Sequence, residues 1–216
     1  MTTPNNELFD IYDGIGNPLG TASRTEVHEQ GHWHQTFHCW LVRLDGDGRV
    51  KILFQRRSDA KDTNPGGYDI TAAGHLAAGE TVEEAVREVE EELGLSVPFD
   101  RLVYYGNIRE EAEGEAQGKR YIDRELSHVY GFVTEQLPRD FRLQEEEVAG
   151  LYEADALRLI AMMEGYEDSV EAEGIEVKDG KALPSRVRVR ASQFVSRDYA
   201  YYVGVFRFLH GLAARE

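Results

Sequence analysis

Four glutamates, Glu84, Glu88, Glu91 and Glu92, recur at spacings of three and four within residues 81–93. On a helix that spacing gathers them on one face, while Val82, Ala85, Val86, Val89 and Leu93 form a second, apolar face. Carboxylates so spaced repel by roughly 0.2–0.5 kcal/mol per pair, and Glu91 and Glu92 also sit towards the negative end of the helix dipole. Arg87 is the only basic residue in the stretch. A face built for solubility alone would alternate its charges. A divalent cation held by Glu88, Glu91 and Glu92 removes the conflict. Mg²⁺, with Mn²⁺ as a substitute, suits such oxygen ligands and keeps waters that a phosphate can replace. The plainer alternative is a solvated acidic face.

The elements that must position these groups alternate between strand and helix patterns. Residues 8–12 read as a strand, and 37–44 and 50–55 as a hairpin closed by Asp45-Gly-Asp-Gly48. A short strand covers 68–73, a helix 81–93 with Gly94 as its stop, and further strands lie near 102–108 and 127–134. Residues 110–119 read as a loop. The C-terminal part reads as an amphipathic helix over 154–163, a polar acidic stretch over 165–180, and a closing helix over 198–212. Tyr202, Phe206, Leu209 and Ala213 share one stripe of that last helix. The stripe could pack on the core, cover a cleft or join a homodimer. The order of elements predicts an α+β fold with a mixed sheet, and there is no internal repeat.

The 24 basic and 40 acidic side chains leave a net charge of −16. That balance argues against general affinity for nucleic acid or anionic membrane. No run approaches the roughly 18 apolar residues of a membrane span, the first ten residues lack a signal-peptide layout, and a lone Cys39 precludes an internal disulfide. The expectation is a cytoplasmic protein whose anionic ligand, if it has one, needs a metal or a local basic cluster.

Gly74, five residues, Glu80, and then Arg87-Glu-Val-Glu-Glu-Glu-Leu-Gly-Leu95 closely resemble the signature of the Nudix hydrolases. Six residues separate Glu80 from Arg87, where the family usually has seven. The resemblance implies a mixed sheet sandwiched between helices (α/β/α), occupying residues 1–165 with the N-terminal strand, and leaves 166–216 as a C-terminal extension packed on the same domain. It implies Mg²⁺-dependent cleavage of a diphosphate linkage in a small metabolite, either a nucleoside diphosphate derivative or an isoprenyl or other alkyl diphosphate. Glu88 and Glu92 would be the main ligands, Glu91 a further ligand or the base, and Arg87 a tie between loop and helix. His75, in the loop beside the helix, is a further candidate for metal or substrate.

Trp33-His-Gln-Thr-Phe-His-Cys-Trp-Leu41, Gln55-Arg-Arg-Ser58, Pro65-Gly66 and Ala73-Gly-His75 are similar to the isopentenyl-diphosphate isomerase branch of the superfamily. That similarity implies a second metal site, with matching positions at His28, His34, His75, Asp123 and Glu125. It also implies diphosphate binding by Arg57 and Lys61. Lys119, Arg120 and Arg124 form a second basic set. The branch's catalytic cysteine is replaced by Ala73, which cannot move a proton to or from carbon, so hydrolysis is favoured over isomerisation. His34 and His38 share one side of a strand, and one of the two is expected to pack or lie on the surface. A non-catalytic ligand-binding module is the remaining alternative.

Overall fold

The computed structural model describes residues 7–214 apart from positions 62 and 117, with the side chains of 116 and 119 also outside the description. The strands are β1 (Leu8–Tyr12), β2 (Pro18–Ser23), β3 (Trp33–Leu44), β4 (Val50–Arg57), β5 (Tyr68–Asp69), β6 (Ala72–His75), β7 (Val103–Ala116), β8 (Lys119–Val133), β9 (Val148–Asp155), β10 (Val170–Lys178) and β11 (Lys181–Val189). The helices are α1 (Arg24–Gln30), α2 (Arg87–Leu93), α3 (Ala156–Met163) and α4 (Tyr199–Ala213). The strands join in one mixed sheet with the main order β11-β10-β9-β4-β3-β1-β2. Strand β8 pairs parallel to β3 from Trp33 opposite Arg124 to Val42 opposite Val133, and the other strand pairs run antiparallel.

Helices cover both faces. Successive β3 side chains point to opposite sides, so Phe37, Cys39 and Leu41 pack beneath Ala85, Val89 and Leu93 of the acidic segment. Trp40 and Val42 enter the larger cluster formed with α3 and α4. On α4, Tyr202, Phe206, Leu209 and Ala213 are completely buried, so the aromatic stripe packs on the core.

Two expectations are corrected. Residues 110–119 are not a free loop: β7 and β8 continue as a long antiparallel hairpin, with Glu110 opposite Glu125 and Ala112 opposite Asp123. The acidic stretch after Gly165 is strand β10, paired with both β9 and β11. Its charge comes from an exposed face where Glu171 meets Arg188 and Glu173 meets Arg186, while Val170, Ala172 and Ile175 are buried. Strand alternation is hard to see among so many charges.

The expected helix over 81–93 also begins differently. Thr81 and Glu84 form a reciprocal cap, in which Glu84 N–H donates to Thr81 Oγ1 (3.3 Å) and the Glu84 carboxylate accepts from Thr81 N–H (2.9 Å). A 3₁₀ turn over Glu84–Val86 follows, and α2 starts at Arg87. A 3₁₀ residue advances about 2.0 Å, against about 1.5 Å in an α-helix. Three such residues cover the length of four helical ones, which absorbs the missing residue between Glu80 and Arg87. Gly94 ends the helix in the left-handed region (φ 66°) with its N–H on Glu90 O.

Because Phe206 is fully buried between Trp40 and Tyr202, Phe206→Ala is expected to lower unfolding free energy by about 3–5 kcal/mol in chemical denaturation. A loss below ~1 kcal/mol would show that α4 is not integral to the core.

Candidate active site

Glu88 and Glu92 project from α2 onto β6. The absence of a side chain at Gly74 makes room for the Glu88 carboxyl group, which a Cβ there would displace. Glu92 is 4 % exposed. Its Oε2 accepts from Ala73 N–H at 3.1 Å and from Gln55 Nε2 at 3.2 Å, and no cationic side chain among the described residues forms an ion pair with it. Burial, and then the neighbouring Glu88 charge, push Glu92 up to about 8. Burial pushes Glu88 up to about 7 against the attraction of Arg87.

Arg87 ties the surrounding loop together. It donates to Glu80 (2.7 and 3.0 Å), Glu88 (2.8 Å) and Glu91 (2.9 Å). Glu91 is half exposed and held by Arg87, so it lies at the rim of the site. Glu84 is used in the cap and takes no part. The phosphate candidates differ from each other. Arg57 is engaged with Asp69 at 3.1 Å and with Thr63 O. Lys61 pairs with Glu147, and its charge reaches Glu92, whose proton affinity it lowers. In the second basic set, Arg120 pairs with Glu113 and Arg124 with Glu111, and the side chain of Lys119 lies outside the described residues.

Of the two sets in which the sequence put His75, the structure brings it to the histidine–carboxylate set and not to Glu88 and Glu92. Strand alternation decides this: Gly74 faces α2, so the next side chain faces the other side of β6. There His75 stacks on Phe9 (4.9 Å) and on His34 (5.2 Å), with His28 edge-on to both histidines. Asp123 Oδ1 lies 3.6 Å from both His28 Nε2 and His34 Nε2, and Glu125 Oε1 lies 3.9 Å from His75 Nε2. The parallel ladder creates this convergence by placing His34 opposite Glu125.

Three buried atoms, His34 Nε2, His75 Nε2 and Asp123 Oδ1, have no hydrogen-bond partner. Such atoms are costly unless something binds them. His34 Nδ1 sits 3.1 Å from the carbonyl of His32, which suits a ring protonated at Nδ1 with a bare Nε2. Burial lowers His28 to about 4, lowers His34 and lowers His75 well below the usual histidine range. The rings are therefore neutral and able to ligate. Burial and the Glu125 charge raise Asp123; in Glu125 the upward push of burial is outweighed by His38 and Arg197.

His28, which lies on α1, and His34 were named from the sequence; both His34 and His38 are buried, so neither lies on the surface. Other groups here escape sequence reasoning. From the C-terminal part, Tyr201 Oη lies 3.1 Å from both His38 Nδ1 and Trp40 Nε1. Arg197 donates to Asp69 (2.6 Å) and Glu110 (3.1 Å). Their only sequence signal is the aromatic entry to the last helix.

Protons should compete with any cation here. Glu92 binds its proton more tightly in the folded chain than in the unfolded one, where the ordinary value is 4.5. The metal-free fold must therefore lose stability as pH rises from 5 to 9. Relative to Glu92→Gln, the wild-type chain is expected to lose on the order of 2–4 kcal/mol over that range in chelator. Millimolar Mg²⁺ should reverse the loss. Parallel stability curves for the two proteins would contradict the assignment.

Comparison with known proteins agrees with this architecture. The family profile described as NUDIX domain matches residues 33–172. A protein of Clostridium acetobutylicum, named as an uncharacterised Nudix hydrolase, is 38% identical over 204 residues, which is 94% of this chain and 97% of that one. An isopentenyl-diphosphate Delta-isomerase of Leifsonia xyli is 35% identical over 163 residues, covering 74% of this chain and 83% of that protein. Among solved structures, DR0079 of Deinococcus radiodurans shares the fold with a TM-score of 0.52 at 20% identity, over 74% of this chain and 91% of that chain. No helix among the described residues is long and apolar enough to cross a membrane. The chain belongs to the Nudix hydrolase family and is by that membership a pyrophosphohydrolase.

Proposed function

We propose that the protein hydrolyses the diphosphate linkage of a small polar metabolite, such as a nucleoside diphosphate derivative, with Mg²⁺ or Mn²⁺ bound at Glu88 and Glu92. The observation that carries this reading is the buried Glu92 carboxylate, which forms no ion pair among the described residues, beside the half-buried Glu88 that lies against Gly74. Such a pair is unfavourable in the bare protein and fits a hard dication. When bound, the cation neutralises phosphate oxygens and acidifies an attacking water.

The chain's own groups do the rest. The amide of Ala73 and the side chain of Gln55 orient the Glu92 carboxylate. Arg87 holds Glu88 and Glu91, and Glu91, the more exposed of the two, serves as a further ligand or accepts a proton from water. Lys61 receives a substrate phosphate by exchanging its partner Glu147, while Arg57 is paired with Asp69. Across β6, His34, His75, Asp123 and Glu125, joined by His28, fit a further divalent cation. Ligands about 2.1 Å from one ion lie about 3–4 Å apart, as the 3.6–3.9 Å separations here do.

Carbon chemistry of the isomerase kind receives no support from the site. Ala73 offers only its amide, which Glu92 uses. The sole thiol, Cys39, is buried among apolar side chains and pushed up to about 12. A single buried, reduced thiol suits a cytoplasmic enzyme.

The test is phosphate release from nucleotide sugars, dinucleotides, coenzyme A, nucleoside triphosphates and isoprenyl diphosphates, with Mg²⁺ or Mn²⁺ and with chelator. Metal-dependent turnover of one class is expected, falling at least about 100-fold in Glu92→Gln and Glu88→Gln. Undiminished turnover in either variant would refute the assignment of these carboxylates.

A further inference from the structure

The histidine–carboxylate cluster continues past Asp123 and Glu125. His38, two positions beyond Thr36 on the same face of β3, brings Nε2 to 3.8 Å from Glu125 Oε2. Glu110 enters from β7, opposite Glu125 in the antiparallel ladder. One ligand atom each from His38, Glu110 and Glu125 lies within 4.8 Å of the others. The Glu125 carboxylate is thus used on both sides: Oε1 faces His75 and Oε2 faces His38.

We infer that the cluster holds two divalent cations bridged by Glu125, the second of them on His38, Glu110 and Glu125 Oε2. This rests on the reading of His34, His75 and Asp123 as ligands of the first cation.

The surroundings of the second position are built for it. Tyr201 Oη lies 3.1 Å from His38 Nδ1 and also receives Trp40 Nε1. A ring protonated at Nδ1 is held by that hydroxyl and turns Nε2 towards Glu125 Oε2, with Thr36 Oγ1 at the long distance of 3.5 Å as its other neighbour, an orientation that metal-bound imidazoles commonly require. His38 is 2 % exposed, so little water reaches it. Arg197 divides its charge between Asp69 Oδ1 and Glu110 Oε2, which leaves Glu110 Oε1 available. The guanidinium nevertheless opposes a nearby dication, so the second cation binds more weakly than the first. Asp123, Glu125 and Glu110 supply three negative charges against the four of two dications. The excess positive charge selects an oxyanion, such as a phosphate group, as the ligand completing both coordination shells. Arg197 and Tyr201 both contribute, which gives the C-terminal part a direct role at the site.

The experiment uses the full chain with Glu88→Gln and Glu92→Gln, so that the α2 carboxylates hold no cation. Bound Mn²⁺ is counted by equilibrium dialysis and its electron paramagnetic resonance is recorded. Two equivalents are expected, the second at least tenfold weaker, with an exchange-coupled spectrum from ions about 4 Å apart. Adding Glu110→Gln, or independently His38→Gln if that chain does not fold, should leave one equivalent with an isolated six-line signal. One equivalent that neither substitution alters would overturn the second site while sparing the first. No retained Mn²⁺ would overturn the reading of the first site as well.

Discussion

The constraint on which this structure turns is a buried carboxylate, Glu92, set near a second, half-buried one, Glu88. Among the described residues Glu92 has an amide and a carboxamide as its hydrogen-bond donors, and the Glu88 carboxylate lies against Gly74. The arrangement is unfavourable in isolation, and the apolar stripe of Ala85, Val89 and Leu93 anchors the helix that imposes it. Arg87 compensates the outer carboxylates and leaves the inner one uncompensated. The α2 segment therefore carries an electrostatic demand of the kind that the proposed dication would meet.

A second consequence follows from strand alternation. Gly74 and His75 are neighbours in sequence, yet they serve opposite faces of β6, and that one-residue step divides the polar groups into two sites. The parallel pairing of β3 with β8 stacks His34 with Glu125 and Thr36 with Ser127. The hairpin partner β7 adds Glu110 to the same face. Helix α4 closes that side and brings Tyr201 onto His38, with Arg197 just before it on Asp69 and Glu110.

The fold class and the acidic half of the site were legible because each rests on local periodicity. The three-and-four spacing of Val89 and Leu93 against Glu88 and Glu92 declares both faces of α2, and Gly94 marks its end. The histidine cluster was only partly legible, since Asp123 and His34 meet through a parallel ladder between strands about ninety residues apart. His38 looked like packing until Tyr201, more than 160 residues away, fixed its ring. Glu110 and β10 were hidden because dense charge masks strand alternation. His75 was read both with the α2 carboxylates and with the histidine–carboxylate set, since proximity to α2 in sequence does not reveal which face of a strand a side chain takes; the structure brings it to the second set.

The central claim is that these carboxylates and histidines serve water attack at phosphorus rather than proton transfer at carbon. The most direct measurement is turnover of the best diphosphate substrate in ¹⁸O-labelled, deuterated water with Mg²⁺, read by ³¹P resonance and mass spectrometry. The account requires one ¹⁸O atom in a phosphate-containing product for each bond cleaved, and no deuterium on carbon. Deuterium on the organic moiety of isopentenyl diphosphate, without ¹⁸O in any phosphate, would contradict it.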